Sequence, residues 1–78
     1  MNPDLELDCT GLICPLPVLR ARKALKGMAP GQVLRVTATD KGAPRDFDAF
    51  CEASGNRLLR REDADGVFAF VIERAPDA

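Results

Sequence analysis

The sequence predicts an α/β (α+β) fold, a two-layer βαβαββ sandwich in which a mixed four-stranded sheet carries two helices on one face. Three observations lead there. Short segments at residues 5–9, 32–39, 57–62 and 67–74 alternate apolar with polar residues or are rich in strand formers. Two intervening segments, each opened by a proline, carry apolar residues at helical spacing. The last two strands are separated only by Asp63-Ala64-Asp65-Gly66, a hairpin sequence.

Each element has its own reason. Leu5, Leu7 and Cys9 alternate with Glu6 and Asp8, the pattern of a half-buried strand. Pro15 is expected as the first helical residue, because its absent N–H is not needed there, which makes Cys14 the N-cap. Val18, Ala21, Leu25 and Met28 form the core stripe of this helix, while Arg20, Arg22, Lys23 and Lys26 largely avoid it. Gly27 and Ala29-Pro30-Gly31 stop it. In the next strand Leu34, Val36 and Ala38 share one face. Pro44 opens the second helix, with Asp46 and Asp48 in its favourable acidic first turn. Phe47, Phe50, Cys51 and Ser54 line one side of it, and Gly55 ends it.

Strand crossovers are right-handed in nearly all proteins, so two of them from one sheet place both helices on the same face. The Cys14 loop and the 40–45 loop then leave the C-terminal ends of parallel strands, where α/β folds commonly place their sites. This topology brings Asp40 and Arg45 towards Cys14.

The 78 residues form one small domain, 1–78, with 46% hydrophobic content. No apolar run reaches membrane-spanning length, and the N-terminus is acidic rather than signal-like. A cytoplasmic location is therefore expected, with no membrane partner and with reduced thiols; three cysteines are an odd number for a disulfide framework. There is no histidine, tyrosine or tryptophan. The usual imidazole base and any Cys–His pair are excluded, and three cysteines without a C-x-x-C pair make a poor metal cage, so no metal is expected. A protein that holds one reactive sulfur and relies on partner enzymes fits better than a stand-alone hydrolase.

Charge is unevenly placed. Between Asp8 and Asp40 no residue is acidic, and Arg20, Arg22, Lys23, Lys26 and Arg35 give this stretch +5, leaving −6 elsewhere in a chain of net charge −1. Such a run is either a solvated face or a positive surface for an acidic partner.

The cysteines differ. At a helix N-terminus near cations, Cys14 should have a moderately lowered pKa. Since Pro15 and Pro17 have no N–H, only Leu16 among the first helical residues can donate one to the sulfur. Cys51, beside Phe50 on an apolar helix face, reads as a core residue, and Cys9 shares the inward parity of Leu5 and Leu7. Cys9 is nonetheless only five residues from Cys14, close enough in sequence for a resolving thiol.

The run Leu7-Asp8-Cys9-Thr10-Gly11-Leu12-Ile13-Cys14-Pro15-Leu16-Pro17-Val18 resembles the signature of the TusA/SirA-like sulfur-carrier family, whose core is C-P-x-P. The resemblance continues through Arg22-Lys23, Met28-Ala29-Pro30-Gly31, Asp40, Arg45-Asp46 and Phe50-Cys51, nearly the whole chain. It implies a βαβαββ sandwich like the C-terminal domain of translation initiation factor three. It also implies a carrier that takes sulfane sulfur as a persulfide on Cys14, supported by Gly11, Pro15 and Pro17. The implied donor is a pyridoxal-phosphate cysteine desulfurase or a rhodanese-like protein, with the cofactor on that partner and none on this chain. A downstream protein accepts the sulfur, in tRNA thiolation, molybdenum-cofactor synthesis, selenium-related chemistry or sulfur oxidation. Arg22, Lys23 and Asp40 match positions implicated in partner docking, and Arg45 is grouped with them by its place on the same edge. The tRNA-thiolation branch usually has glutamate between the prolines, where this chain has Leu16.

Two other functions compete. A thiol redox or regulatory protein would use Cys9 and Cys14, although their spacing is not C-x-x-C. A nucleic-acid module is favoured only by fold analogy and the basic helix, against a mildly acidic composition without a glycine-rich phosphate loop. The expectation is a monomeric sulfur carrier without direct nucleic-acid contact.

Overall fold

The structure is a computed structural model that describes residues 2–76. Its elements are β1 (Leu5–Cys9), α1 (Leu16–Lys26), β2 (Val33–Ala38), α2 (Ala43–Ser54), β3 (Arg57–Ala64) and β4 (Val67–Glu73). The sheet order is β1-β2-β4-β3. Strands β1 and β2 are parallel, and β4 runs antiparallel to both β2 and β3. The sheet is thus mixed, as the two crossovers and one hairpin require.

The register aligns the inward residues in rows across the sheet. Leu5, Leu34, Ile72 and Leu58 form one row, Leu7, Val36 and Phe70 a second, and Cys9, Ala38 and Phe68 a third. Ala21 and Leu25 of α1 and Ala43, Phe47 and Cys51 of α2 join one buried cluster with these rows, so both helices cover the same face. Phe47 and Phe70 are wholly buried and stack with ring centroids 4.4 Å apart. Burying one such ring contributes about 1.5–3 kcal/mol. The opposite face of the sheet carries the Glu6–Arg35 ion pair at 3.6 Å.

Local chemistry closes the elements. Gly55 takes the left-handed conformation (φ 82°) that ends α2, and its N–H donates to the Cys51 carbonyl. Asp65 (φ 54°) and Gly66 (φ 80°) are both left-handed, the requirement of a two-residue primed turn. The hairpin is therefore tighter than its four-residue turn sequence indicates, and β3 runs on through Asp63 and Ala64. Asn56 is the buried polar residue among the described residues: its Oδ1 accepts the Ala75 N–H at 2.7 Å, and its Nδ2 donates to Ser54 Oγ.

Two packing expectations shift. In α1 the buried stripe is Pro17, Ala21 and Leu25, while Val18 and Met28 pack half-buried against it. Leu5 is 43% exposed despite its inward parity, because it opens an edge strand. Among the described residues, no helix is long and apolar enough to cross a membrane.

Candidate functional site at the Cys14 loop

The Cys14 loop is braced at both ends. As β1 ends, the Asp8 carboxylate accepts the Thr10 N–H at 2.9 Å and the Thr10 hydroxyl at 2.7 Å. Those bonds, the hydroxyl's first, hold the Asp8 carboxyl below its ordinary value. Gly11 turns the chain with φ +81°, where a side chain would be strained, and its N–H donates to Thr39 Oγ1 at 2.9 Å, pinning the loop beside the end of β2. At the far end the buried Pro17 anchors the start of α1. Between these supports Ile13 is 68% exposed, and Cys14 is exposed too.

The second loop arrives from β2. The Asp40 carboxylate accepts the Gly42 N–H at 2.9 Å, and its carbonyl accepts the Ala43 N–H at 3.0 Å, which starts α2. One turn on, the Asp46 carboxylate accepts a hydrogen bond from the Cys14 thiol at 2.6 Å. The Cys14 sulfur and the Asp40 and Asp46 carboxylates lie within 4.8 Å of one another. Gly42 sits at this junction. A β-carbon there would stand 3.0 Å from the Asp40 carboxylate, 3.7 Å from that of Asp46 and 4.0 Å from the Cys14 β-carbon. Three donors without histidine fall short of the four-ligand thiolate and imidazole sets of structural zinc, and we assign no metal here.

Several expectations are corrected. Cys14 is not the N-cap: Pro15 holds that position, and α1 begins at Leu16. The Leu16 N–H donates to the Ile13 carbonyl at 2.9 Å, not to the sulfur. The Cys14 pKa is raised, not lowered. Its thiol donates to the Asp46 carboxylate, desolvation adds to that, and the negative charges of Asp46 and Asp40 oppose a thiolate. No α1 cation offsets them; Arg20 acts on Cys9 instead. Asp40 does approach Cys14, but on α2 it is Asp46, not the exposed Arg45, whose side chain reaches the sulfur. Sequence reasoning placed Asp46 in a helix first turn and within the family resemblance, but not beside Cys14. Its approach to Cys14 depends on how the two loops meet.

The +5 stretch also divides. Arg20, Arg22, Lys23 and Lys26 are exposed on α1, whereas Arg35 pairs with Glu6 on the opposite face of the sheet. Arg22 and Lys26, with Leu25, Phe50 and Ala53, line a groove of about 280 Å³ between the helices. Cys9 and Cys51 are buried in the core, and burial pushes the Cys51 thiol up to about 11.

Comparison with known proteins agrees with this architecture. Residues 5–74 match the family described as sulfurtransferase TusA. The sulfur carrier protein TusA of Allochromatium vinosum is 51% identical over 72 residues, covering 92% of this chain and 95% of that protein. The sulfur carrier protein TusA of Pseudomonas putida is 39% identical over 76 residues, covering 97% and 95%. The crystal structure of a SirA-like protein from Desulfitobacterium hafniense superposes with a TM-score of 0.78 at 30% identity, covering 91% of this chain and 97% of that one. The chain therefore belongs to the sulfurtransferase TusA family of sulfur carriers, which work between a sulfur donor and a sulfur acceptor.

Proposed function

We propose that Cys14 carries the sulfur, receiving sulfane sulfur from a donor protein as a persulfide and passing it to an acceptor. The observation that carries this reading is the contrast among the cysteines. Cys14 is exposed on a braced loop, whereas Cys9 and Cys51 lie in the core at 0% and 6% exposure. A transferable sulfur must meet another protein's cysteine, and only Cys14 can do so without unfolding. The reaction asks little else of this chain. The Cys14 sulfur attacks the terminal sulfur of the donor persulfide; the donor's S–S bond breaks and its sulfur leaves as a thiol. Sulfane sulfur moves with no net oxidation, and no histidine is needed.

The finer assignments follow from the same reading. The donor is a pyridoxal-phosphate cysteine desulfurase or a rhodanese-like protein, with no cofactor on this chain. Exposed Arg22 and Lys23 on α1 face an acidic surface of that partner, and Asp40 and Arg45 sit on the loop and helix start next to Cys14. Leu16 favours sulfur delivery outside tRNA thiolation. The redox alternative through Cys9 is disfavoured by that residue's complete burial. The test is intact mass after incubation with a cysteine desulfurase and cysteine. The wild type and Cys51→Ser should each gain one sulfur atom, and Cys14→Ser none. Loading that persists in Cys14→Ser overturns the assignment.

A further inference from the structure

The surroundings of Cys14 are anionic, which is unusual for a sulfur that must become a nucleophile. The charged groups that face it are the carboxylate of Asp46, from the first turn of α2, and that of Asp40, from the loop before it. The basic side chains of α1 do not compensate, and the first free N–H of α1 is taken by the Ile13 carbonyl. The Asp8 carboxylate is engaged by Thr10. The bare Gly42 lets the two carboxylates close on the sulfur.

We propose that Asp46, backed by Asp40, holds Cys14 as a protonated thiol in the free protein, and that a sulfur-transfer partner releases it by placing an arginine or lysine against this carboxylate pair. Asp46 is on this account a positioning residue that sets when the sulfur ionises. The proposal rests on Cys14 being the sulfur-bearing residue. Ionising Cys14 in the free protein would gather three negative charges within 4.8 Å. A cation docked on the pair removes that opposition and favours the thiolate. The thiolate then attacks the partner's terminal sulfur, forming the Cys14 S–S bond. The partner's S–S bond breaks with its electron pair kept on the partner's sulfur, which takes up the proton released by Cys14. A carrier guarded in this way reacts more slowly with small electrophiles and oxidants until a matching surface arrives. The partner chemistry it selects is a cation adjacent to a reactive cysteine, complementary to the acidic surface that the α1 cations would meet.

The test measures iodoacetamide alkylation of Cys14 against pH by peptide mass, in the full chain and in Asp46→Asn and Asp40→Asn. The neutral reagent separates sulfur ionisation from steering of the probe. Asp46→Asn should move the midpoint to lower pH and speed labelling at pH 7 about tenfold. Asp40→Asn, whose amide oxygen can still accept the Gly42 N–H, should shift it less and in the same direction. A midpoint unchanged or raised in both variants overturns the guard. For the release step, a tetra-arginine peptide should accelerate labelling of the wild type but not of Asp46→Asn. Absence of acceleration in the wild type, or equal acceleration in both, overturns the cation switch. These readings need no sulfur donor, so failure of Cys14 to load sulfur would refute the carrier assignment separately.

Discussion

The protection of the three cysteines from alkylation gives a quantitative check on how the fold selects one sulfur. Cys9 and Cys51 sit in the cluster that Phe47 closes, at 0% and 6% exposure, and Phe47 itself is fully buried against Phe70. A domain of 78 residues is stable by about 4–12 kcal/mol, so molecules open enough to expose these thiols number at most about one in a thousand. Within the folded state Cys51, with its thiol pushed up to about 11, is ionised in only about one molecule in a thousand at pH 8. Cys14 needs no opening. In a timed iodoacetamide reaction followed by peptide mass, Cys14 should label first, with Cys9 and Cys51 slower by a factor of about a thousand or more. The perturbation is Phe47→Ala, which removes a buried ring at a cost of about 3–5 kcal/mol. It should speed labelling of Cys9 and Cys51 by about a hundredfold or more, or unfold the domain outright, in which case all three cysteines label alike. Phe47→Leu, which keeps part of the packing, should give a smaller increase. Labelling of Cys9 or Cys51 within tenfold of Cys14 in the wild type would refute the reasoning, as would Phe47→Ala leaving their protection intact.

Reversing Arg22 and Lys23 to glutamate should slow sulfur loading from a cysteine desulfurase by about tenfold or more while the far-ultraviolet circular dichroism stays unchanged. The wild-type rate should fall as salt rises, since exposed charges are screened over about 10 Å at 0.1 M ionic strength; indifference to both leaves α1 a solvated face. The Asp8 carboxyl, held below its ordinary value of 3.8 by Thr10, favours its charged form in the folded state. Its contribution is therefore present above pH 3.8 and is lost as pH falls below that value. Thr10→Val should melt earlier than the wild type at neutral pH, and the two melting temperatures should converge in acid. A gap independent of pH rejects the Asp8–Thr10 account.

Much of this protein was legible in its sequence because the signals are local. Alternation in β1 and β2, the proline-opened helices, Gly55 and the Asp65-Gly66 turn each report the conformation of a few neighbouring residues, and the element order follows from them. The two crossovers bring the loops after β1 and β2 to one edge of the sheet, which placed Asp40 near Cys14 from topology alone. The inward parity of Cys9 and the apolar flank of Cys51 foretold their burial. What the sequence could not give was the ionisation of Cys14. The dipole and the nearby cations are features of its own segment, and they argue for a lowered pKa. The carboxylate that reverses the sign is 32 residues away in sequence. It reaches the sulfur because Gly42 leaves room and because α2 starts at the same corner as the Cys14 loop. The same limit governed Arg35, which belongs to the basic run in sequence but to the opposite face in space. Sequence determined the fold and singled out Cys14 as the candidate sulfur. Only tertiary structure decided the charge around that sulfur, because electrostatic interactions depend on distance through space and not along the chain.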